Sequence, residues 1–343
     1  MKIILSCDFL KGSGNPGFFD LGMAFIAGLE RLGHEVYWVA EVTPGQCLDS
    51  GNHQVEFEDW QGIQRFEALA KSYRIWPRCC LIHTQPLLTC GMTFHEILKA
   101  ASTAQLLLII GGKVQTPIIL EHVPCTAYVE VDPANPGARR FEHGVDPDFK
   151  YYDHFFTVAL NTGTPRCEVP TGGLPWQGLF QPVVLDRWLP STNGNGGRFT
   201  TISNGVEGKE VTLEGPGWRL SDLRQFQGVE DYRRFIGSSR AGLSLAEDHC
   251  VKARTGWFSD VTARYLAMGK PALVQSTGFE DHLPTGRGLL SFRTLEEAAE
   301  GIEEINRDYC AHCLAARQIA EEYFDSTLVL SKLLDEIFAC VRS

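Results

Sequence analysis

A short segment in the last third of the sequence groups residues that together could bind a nucleotide. It contains two cations, Lys252 and Arg254, an aromatic ring at Trp257, and a helix start at Ser259 and Asp260. A diphosphate is bound by fixed cations and helix-terminal amides, and a nucleoside needs an aromatic wall and a polar partner for its ribose. We therefore expect the cations to offset diphosphate charge and Ser259 and Asp260 to hold the nucleoside or sugar. The alternative is a solvated Lys/Arg pair beside a packed tryptophan.

A second candidate contact follows the short apolar run Ala272–Gln275. Thr277, Gly278 and Phe279 come directly after this predicted strand. In open parallel sheets, ligands bind outside the carboxyl ends of the strands. These three residues are therefore expected to line a sugar pocket, with an ordinary strand-to-loop turn as the alternative.

A glycine-rich loop near the start of the chain is a third candidate. The loop, Gly12–Gly17, includes Gly14 and precedes a predicted helix. Small residues let backbone amides approach an anion at a helix start. The spacing matches neither the P-loop nor the dinucleotide-binding motif, and a tight strand-to-helix turn explains it equally well.

The carboxylates and histidines near predicted strand ends are the candidates for a general base. Asp20 lies near the start of the first helix and is the first choice, while Asp132 and His154 lie beside later strands. Asp8, just past the first strand, is a further candidate. A base must reach the acceptor hydroxyl within hydrogen-bond distance. Each carboxylate could instead be solvated or cap a helix.

Composition limits the classes of function. The net charge of −11 disfavours binding to a phosphate backbone, so nucleic acid is not an expected partner. No apolar run reaches the ~18–20 residues of a membrane span, and Ile3–Leu5 is too short for a signal peptide. The 11 cysteines are scattered, which is typical of reduced thiols in the cytosol. The lone Cys310–Cys313 pair is a weak metal motif, and no metal is expected.

Strand-sized and helix-sized patterns alternate along the chain, which predicts parallel sheets. The sequence predicts strands at Lys2–Ser6, Val36–Val39, Cys80–His83, Leu106–Ile110, Tyr128–Val131, Phe199–Ser203, Gly242–Ala246 and Ala272–Gln275. Helices are predicted between them and at the end of the chain. Glycine, proline and asparagine are enriched over residues 161–198, where the periodicity is lost. We expect an α/β fold of two Rossmann-like domains facing across a cleft: residues 1–165, a connection over 166–197, and residues 198–343.

Several motifs of the sequence resemble GT-B glycosyltransferases. The residues that carry this resemblance in the C-terminal half are Gly256–Asp260, Tyr265–Pro271, Gln275–Phe279, Leu283–Gly286 and Gly288–Leu290, with the tail Ile319–Ser326. Further similar stretches are Gly28–Tyr37, Pro182–Trp188 and Phe199–Ile202. The resemblance implies transfer of a sugar from a nucleotide diphosphate sugar to a hydroxyl-bearing acceptor. It implies no tightly bound metal or cofactor, because cations and a helix dipole stabilise the leaving group.

Two departures from the family pattern limit what the resemblance implies. Retaining members carry a glutamate where Arg264 stands, and Gly256 lies where a second glutamate would fall. The stereochemical outcome is therefore left open. The short distance from Phe199–Ser203 to Asp231 also predicts a donor domain trimmed of a helix and a strand. The trimming leaves open a non-catalytic binding or scaffold protein, and transfer to modified DNA bases is a third alternative.

Overall fold

The computed structural model describes residues 1–7, 16–112, 114–131, 147–191, 197–203, 218–222, 226 and 228–339. Its chain divides into two compact units. Unit 1 comprises Met1–Lys11, Ile26–Val131 and Val145–Phe156, and unit 2 comprises Gly12–Phe25, Asp132–Gly144 and Thr157–Ser343. The domain boundaries expected from the sequence (residues 1–165, 166–197 and 198–343) stay a prediction.

Unit 1 is built on a mainly parallel sheet. Its strands are β1 (Lys2–Cys7), β2 (Glu35–Val42), β3 (Cys79–Thr84), β4 (Leu87–Gly91), β5 (Leu106–Ile110), β6 (Thr126–Glu130) and most of β7 (His154–Thr157). Within unit 1 the sheet order is β4-β3-β2-β1-β5-β6-β7. The central strands are buried on both faces, which explains why β5 reads as a continuous apolar run.

Helices and short 3-10 turns connect these strands. The helices are α1 (Pro16–Arg31), α2 (Gln61–Ser72), α3 (Phe94–Ala101) and α4 (Pro117–His122), and the 3-10 turns are Pro44–Gln46, Phe57–Asp59 and Pro147–Tyr151. Thr93 caps α3 by accepting a hydrogen bond from the amide of Glu96, whose side chain returns to the Thr93 amide. The division between the units falls inside α1, so the first half of this helix belongs to unit 2.

Unit 2 contains a five-stranded sheet of the order β10-β9-β11-β12-β13. Its strands are β9 (Phe199–Ser203), β10 (Trp218–Asp222), β11 (Ala241–Ser244), β12 (Ala272–Gln275) and β13 (Leu289–Phe292); β8 (Trp176–Gly178) also falls in this unit's residues. All four neighbouring pairs are parallel. The carboxyl ends of these strands therefore lie at one edge of the sheet.

The helices of unit 2 follow its strands and close the chain. They are α5 (Val229–Ser238), α6 (Asp248–Lys252), α7 (Asp260–Ala267), α8 (Leu295–Arg307), α9 (Tyr309–Tyr323) and α10 (Ser326–Phe338), with 3-10 turns at Leu185–Arg187 and Phe279–Asp281. Trp188, Tyr232, Tyr265 and Phe324 belong to the buried apolar cluster at the centre of this unit. Among the described residues, no helix is both long and apolar enough to cross a membrane.

The structure corrects two details of the predicted fold. The edge strand β4 pairs antiparallel with β3, whereas only parallel pairs were expected. In addition, β10 lies in the stretch for which no strand was expected, and it pairs with β9 over its whole length. The predicted trimming of the donor half therefore does not extend to this strand.

Candidate active site

The loops at the carboxyl edge of the unit 2 sheet are joined to one another by hydrogen bonds. Gln275, the last residue of β12, accepts a hydrogen bond through Oε1 from the amide of Ala246, at 3.1 Å, just beyond β11. The amide of Gly256 donates to the carbonyl of Thr277 at 2.8 Å. The Thr277 hydroxyl in turn donates to the carbonyl of Trp257 at 2.6 Å. The two predicted contact loops, one before α7 and one after β12, are thus adjacent.

Asn161 holds these two loops together. Its side-chain Nδ2 donates to the carbonyl of Arg254 at 3.0 Å and to the carbonyl of Gly278 at 3.3 Å. Its backbone amide donates to the carbonyl of Thr255 at 2.9 Å. Asn161 is only 1% exposed. We call the set of Asn161, Arg254–Trp257 and Thr277–Gly278 the loop junction.

Two glycines make room for Asn161 in the loop junction. Gly256 has φ +71°, and a Cβ there would lie 2.9 Å from the Asn161 amide nitrogen. Gly278 has φ +92°, and its Cβ would lie 2.7 Å from Asn161 Nδ2. Both values of φ are in the left-handed region that favours glycine. The close approach of Asn161 explains why Gly256 carries no side chain at the position where the family resemblance expects a second glutamate.

The two predicted diphosphate-binding cations lie in different surroundings. Lys252 ends α6, its side chain is 78% exposed, and it forms an ion pair with Asp248 at 3.3 Å. This is the solvated arrangement that the sequence left open as the alternative. Arg254 is exposed as well but belongs to the loop junction, and its guanidinium forms no ion pair with any residue that the structure describes. Arg254 is therefore the cation that remains available to an anionic ligand.

His282 completes the hydrogen bonding of the Asn161 side chain. Its Nε2 lies 2.7 Å from Asn161 Oδ1. Since Asn161 Nδ2 is the donor to two carbonyls, Oδ1 must accept, and the His282 ring must carry its proton on Nε2. Burial lowers the pKa of His282, and Arg166 lowers it further, while Asp281 opposes both. The ring is therefore neutral near pH 7, with Nδ1 as its acceptor.

The start of α7 carries the other two predicted donor-binding residues. Ser259 is the N-cap, and its hydroxyl accepts a hydrogen bond from the amide of Val261 at 3.2 Å. Asp260 forms an ion pair with Arg264, one turn later on the same helix. The Asp260 side chain keeps 27% exposure, so it is partly accessible to solvent. Both residues thus have structural roles, and both lie directly after the loop junction.

Asp20, the first candidate for the general base, lies in a buried ion pair. Its Oδ2 accepts hydrogen bonds from Arg264 Nε at 2.9 Å and from Trp188 Nε1 at 3.3 Å. Asp20 is 5% exposed and Arg264 is 2% exposed. A buried carboxylate committed to two donors is poorly placed to take a proton from an incoming hydroxyl. This arrangement corrects the expectation and assigns Asp20 the role of counter-ion to Arg264.

The remaining predicted residues are spread over different surroundings. Phe279 is fully buried against Phe258, with ring centroids 5.3 Å apart, so its ring packs in the core and does not line a pocket. His154 begins β7 in unit 1 and is partly exposed. Asp8, Gly14 and Asp132 lie outside the described residues.

Asn161, His282 and the charge pairing of Arg264 are absent from the sequence-based site. Asn161 stands at the start of the glycine-rich stretch and is followed by Thr162 and Gly163, which indicates only a turn. His282 follows two acidic residues in a short 3-10 turn. The hydrogen-bond partners of the Asn161 and His282 side chains lie more than 90 residues away along the chain. No local spacing could have predicted these contacts.

The Cys310–Cys313 motif does not form a metal site with its neighbours. His312 Nδ1 accepts a hydrogen bond from the amide of Gly288 at 3.1 Å, and Cys310 is exposed. Within the described part of the chain, no three His, Cys, Asp or Glu side chains are placed to hold a metal ion together.

Several solved structures share the fold of this chain. The alpha-glucosyltransferase solved in complex with UDP superposes with a TM-score of 0.59 at 12% identity, over 98% of this chain and 99% of that chain. Anabaena HepE in complex with UDP and glucose gives a TM-score of 0.60 at 13% identity, over 99% and 100% of the two chains. A glycosyltransferase from Rickettsia africae gives 0.53 at 10% identity, over 100% and 99%. No protein-family model and no curated protein matches the sequence.

The likeness to these structures concerns the fold, because the identities are low. The fold is GT-B, with two α/β units that are each built on a mostly parallel sheet. The predicted α/β class and the predicted GT-B fold are thereby confirmed.

Proposed function

We propose that the chain is a glycosyltransferase that moves a sugar from a nucleotide diphosphate sugar to a hydroxyl-bearing acceptor. The observation that carries this proposal is the likeness, over nearly the whole chain, to glycosyltransferases that were solved with UDP. The loop junction supports it independently, because it places an available cation and a capped helix start at the carboxyl edge of a parallel sheet.

The reaction exchanges one bond at the anomeric carbon of the sugar. The bond from this carbon to the diphosphate oxygen breaks, and the nucleoside diphosphate leaves with the electron pair. The acceptor oxygen forms the new bond, and its proton passes to a base. Negative charge develops on the leaving diphosphate, so the protein lowers the barrier by placing donors and cations there in advance.

The leaving diphosphate would be held by Arg254 and the start of α7. Arg254 has an available guanidinium, and Ser259 begins a helix whose first amides carry partial positive charge. Asp260, held by Arg264, is the nearby carboxylate for a ribose or sugar hydroxyl. Thr277 and Gly278 would contact the sugar through the loop after β12. Gly14, in the glycine-rich loop Gly12–Gly17, stays a proposed donor-binding residue.

A general base must take the proton from the acceptor hydroxyl, and we propose it from the candidates other than Asp20. His154 is partly exposed, and a neutral imidazole nitrogen can accept a proton. Asp132 is the second candidate. No metal or tightly bound cofactor is proposed, since cations and helix amides can balance the charge of the leaving group. A cytosolic location stays a prediction of the sequence.

The proposal is tested by calorimetric titration of the purified chain with UDP and with other nucleoside diphosphates. We expect saturable binding of at least one of them, and release of that nucleotide when its sugar conjugate is incubated with an acceptor. A binding or scaffold protein is the alternative, and it would bind without turnover or would not bind. Absence of binding to every nucleoside diphosphate would overturn the proposal.

Arg254→Ala is expected to weaken nucleoside diphosphate binding by about 1.5–3 kcal/mol, because a hydrogen bond to a charged group is lost. Lys252→Ala is the matched control, since it removes a cation two residues away that is already paired with Asp248. An exposed ion pair contributes only ~0–1 kcal/mol, and we expect a change no larger than that. The dissociation constants of both variants check the prediction. Equal losses of affinity in both variants would indicate that Lys252 also binds the diphosphate. Unchanged affinity in both variants would show that Arg254 does not bind it.

Transfer to modified DNA bases is the second candidate function. It is supported by a structure of the alpha-glucosyltransferase that holds UDP and a 13-mer DNA containing a HMU base, which superposes with a TM-score of 0.61 at 10% identity. The net charge of −11 disfavours it, because a phosphate backbone is bound mainly through cations. Salt-sensitive binding to duplex DNA would favour this acceptor. If the chain does not bind duplex DNA even at low salt, this acceptor is excluded.

A further inference from the structure

Arg254 has a backbone conformation that residues other than glycine rarely adopt. Its φ is +50°, and among the described residues only Asn52 and Arg74 share a positive φ without being glycine. Such a conformation costs free energy and persists only where the surroundings hold it in place. The strained residue is also the one whose guanidinium is available to a ligand. The contacts that hold the Arg254 backbone therefore also place its guanidinium.

The positive φ of Arg254 is that of the residue after a helix C-cap, because its amide donates to the Val251 carbonyl at 3.3 Å and the Thr255 amide donates to the Cys250 carbonyl at 3.1 Å. Asn161 holds the other side of the same residue, its carbonyl. The Arg254 carbonyl accepts a hydrogen bond from Asn161 Nδ2 at 3.0 Å. The same nitrogen also donates to Gly278, so a single side chain sets the spacing between the loop before α7 and the loop after β12. A Cβ at either Gly256 or Gly278 would lie within 2.9 Å of Asn161, so only glycine lets both loops approach Asn161 this closely.

His282 fixes which way the Asn161 amide faces. An asparagine amide can rotate by half a turn, which exchanges its donor for its acceptor. With the opposite orientation, Oδ1 would face the carbonyls of Arg254 and Gly278 and repel them. The Nε2 proton of His282, donated to Oδ1 at 2.7 Å, stabilises the observed orientation. Arg166 and Asp281 form an ion pair at 2.7 Å beside this histidine.

We propose that Asn161 is a positioning residue of the donor site, which places the Arg254 guanidinium for the diphosphate, and that His282 orients Asn161 for this task. The inference rests on the proposed function. Neither residue needs to touch the ligand, because Asn161 acts through the backbone of Arg254 and His282 acts through Asn161. The consequence is energetic coupling between Asn161 and Arg254.

The coupling is measured by titrating UDP into four forms of the full chain: wild type, Asn161→Ala, Arg254→Ala and the double variant. We expect each single variant to bind UDP about 10–150-fold more weakly, the factor for one charge-assisted contact. The double variant should bind within about threefold of Arg254→Ala, because the contact that Asn161 serves is already lost. Losses that multiply would overturn the proposal, since they indicate independent contributions.

The role of His282 is tested by a conservative and a disruptive substitution. His282→Gln keeps an N–H donor for Asn161 Oδ1, and we expect UDP affinity within about threefold of wild type. His282→Leu removes the donor and should weaken binding to a level similar to Asn161→Ala. Asn306→Ala is the control for loss of an asparagine, because Asn306 is exposed and its side chain accepts a hydrogen bond from the Arg240 side chain at 2.7 Å, far from the loop junction in sequence. Equal affinities of the Gln and Leu variants would overturn the role of His282.

A ligand-free measurement separates this inference from the proposed function. The nitrogen NMR spectrum of the histidine rings should show His282 in the Nε2-protonated neutral form at pH 7, and Asn161→Ala should abolish this preference. Where the spectrum agrees but no nucleotide binds, the proposed function fails and the positioning role fails with it, while the hydrogen-bonded arrangement stands. A His282 ring protonated on Nδ1 in the wild type would overturn the arrangement itself. Asn161→Asp provides a second variant of nearly equal volume should Asn161→Ala not fold.

Discussion

Replacing Arg264 by methionine is expected to lower the free energy of unfolding by about 3–5 kcal/mol, the cost of breaking a buried ion pair on one side. Arg264 is 2% exposed and bonds both Asp20 and Asp260. Burial by itself lowers the pKa of Arg264, but Asp260, Tyr232 and Asp20 together raise it above its ordinary value, so the guanidinium is charged. Without Arg264, the buried carboxylate of Asp20 keeps, among the residues that the structure describes, only the indole N–H of Trp188.

Denaturation of both forms in urea measures the loss, provided that the slope of the transition is unchanged. The double variant Arg264→Met with Asp20→Asn should recover part of the stability, because it removes the uncompensated buried charge. Arg307→Met is the control, since Arg307 pairs with Glu304 on an exposed face of α8 and should cost no more than ~1 kcal/mol. A loss as small in Arg264→Met as in the control would contradict the structural role of the ion pair.

The ion pair also explains a departure from the family pattern that the sequence shows. Arg264 replaces the glutamate expected from the resemblance, and on its own this change predicts nothing about its partner. The structure supplies that partner in Asp20, which is 244 residues away in the sequence. The same contact occupies the carboxylate that the sequence places near a helix start and that is the first candidate for the base. One long-range contact thus accounts for both differences.

Much of the fold follows from local patterns. The continuous apolar run Leu106–Ile110 is β5 to the residue, and Ala272–Gln275 is β12. Helices close the chain, as the sequence predicts, and Thr294, Asp308 and Asp325 are the N-caps of α8, α9 and α10. These features depend on side-chain alternation and capping within a few residues. The antiparallel edge strand β4 and the strand β10 depend on pairing with a neighbour, which is not encoded in the local pattern.

The site is less predictable than the fold for the same physical reason. The types of residue that could bind a diphosphate are visible in the sequence, where Arg254 shortly precedes the N-cap Ser259. Which of the candidate side chains is available depends on the tertiary structure: Asp20 is taken up by Arg264, and Phe279 is buried in the core. Asn161 lies in a stretch that reads as a connection, so its role required the tertiary structure.

Gly288→Ala is expected to lower the free energy of unfolding by about 2–5 kcal/mol. Gly288 has φ +79° and lies just before β13, where a Cβ would come within 2.3 Å of the backbone nitrogen of Ala316 in α9. Left-handed backbone costs a residue with a side chain about 1–2 kcal/mol, and overpacking against a well-packed neighbour adds about 1–3 kcal/mol. Backbone atoms of a helix cannot rotate away as a side chain can, so β13 or α9 must shift.

Gly286→Ala separates the clash from the backbone strain. Gly286 has φ +103°, two residues before Gly288, but a Cβ there would meet nothing within 4 Å. Its cost should stay near 1 kcal/mol, because the strain of about 1–2 kcal/mol is partly offset by the lower entropy of the unfolded chain. Urea denaturation of the two variants measures the difference. A Gly288→Ala variant as stable as Gly286→Ala would show that α9 can move away from β13, and the close contact would then not explain why glycine stands at this position.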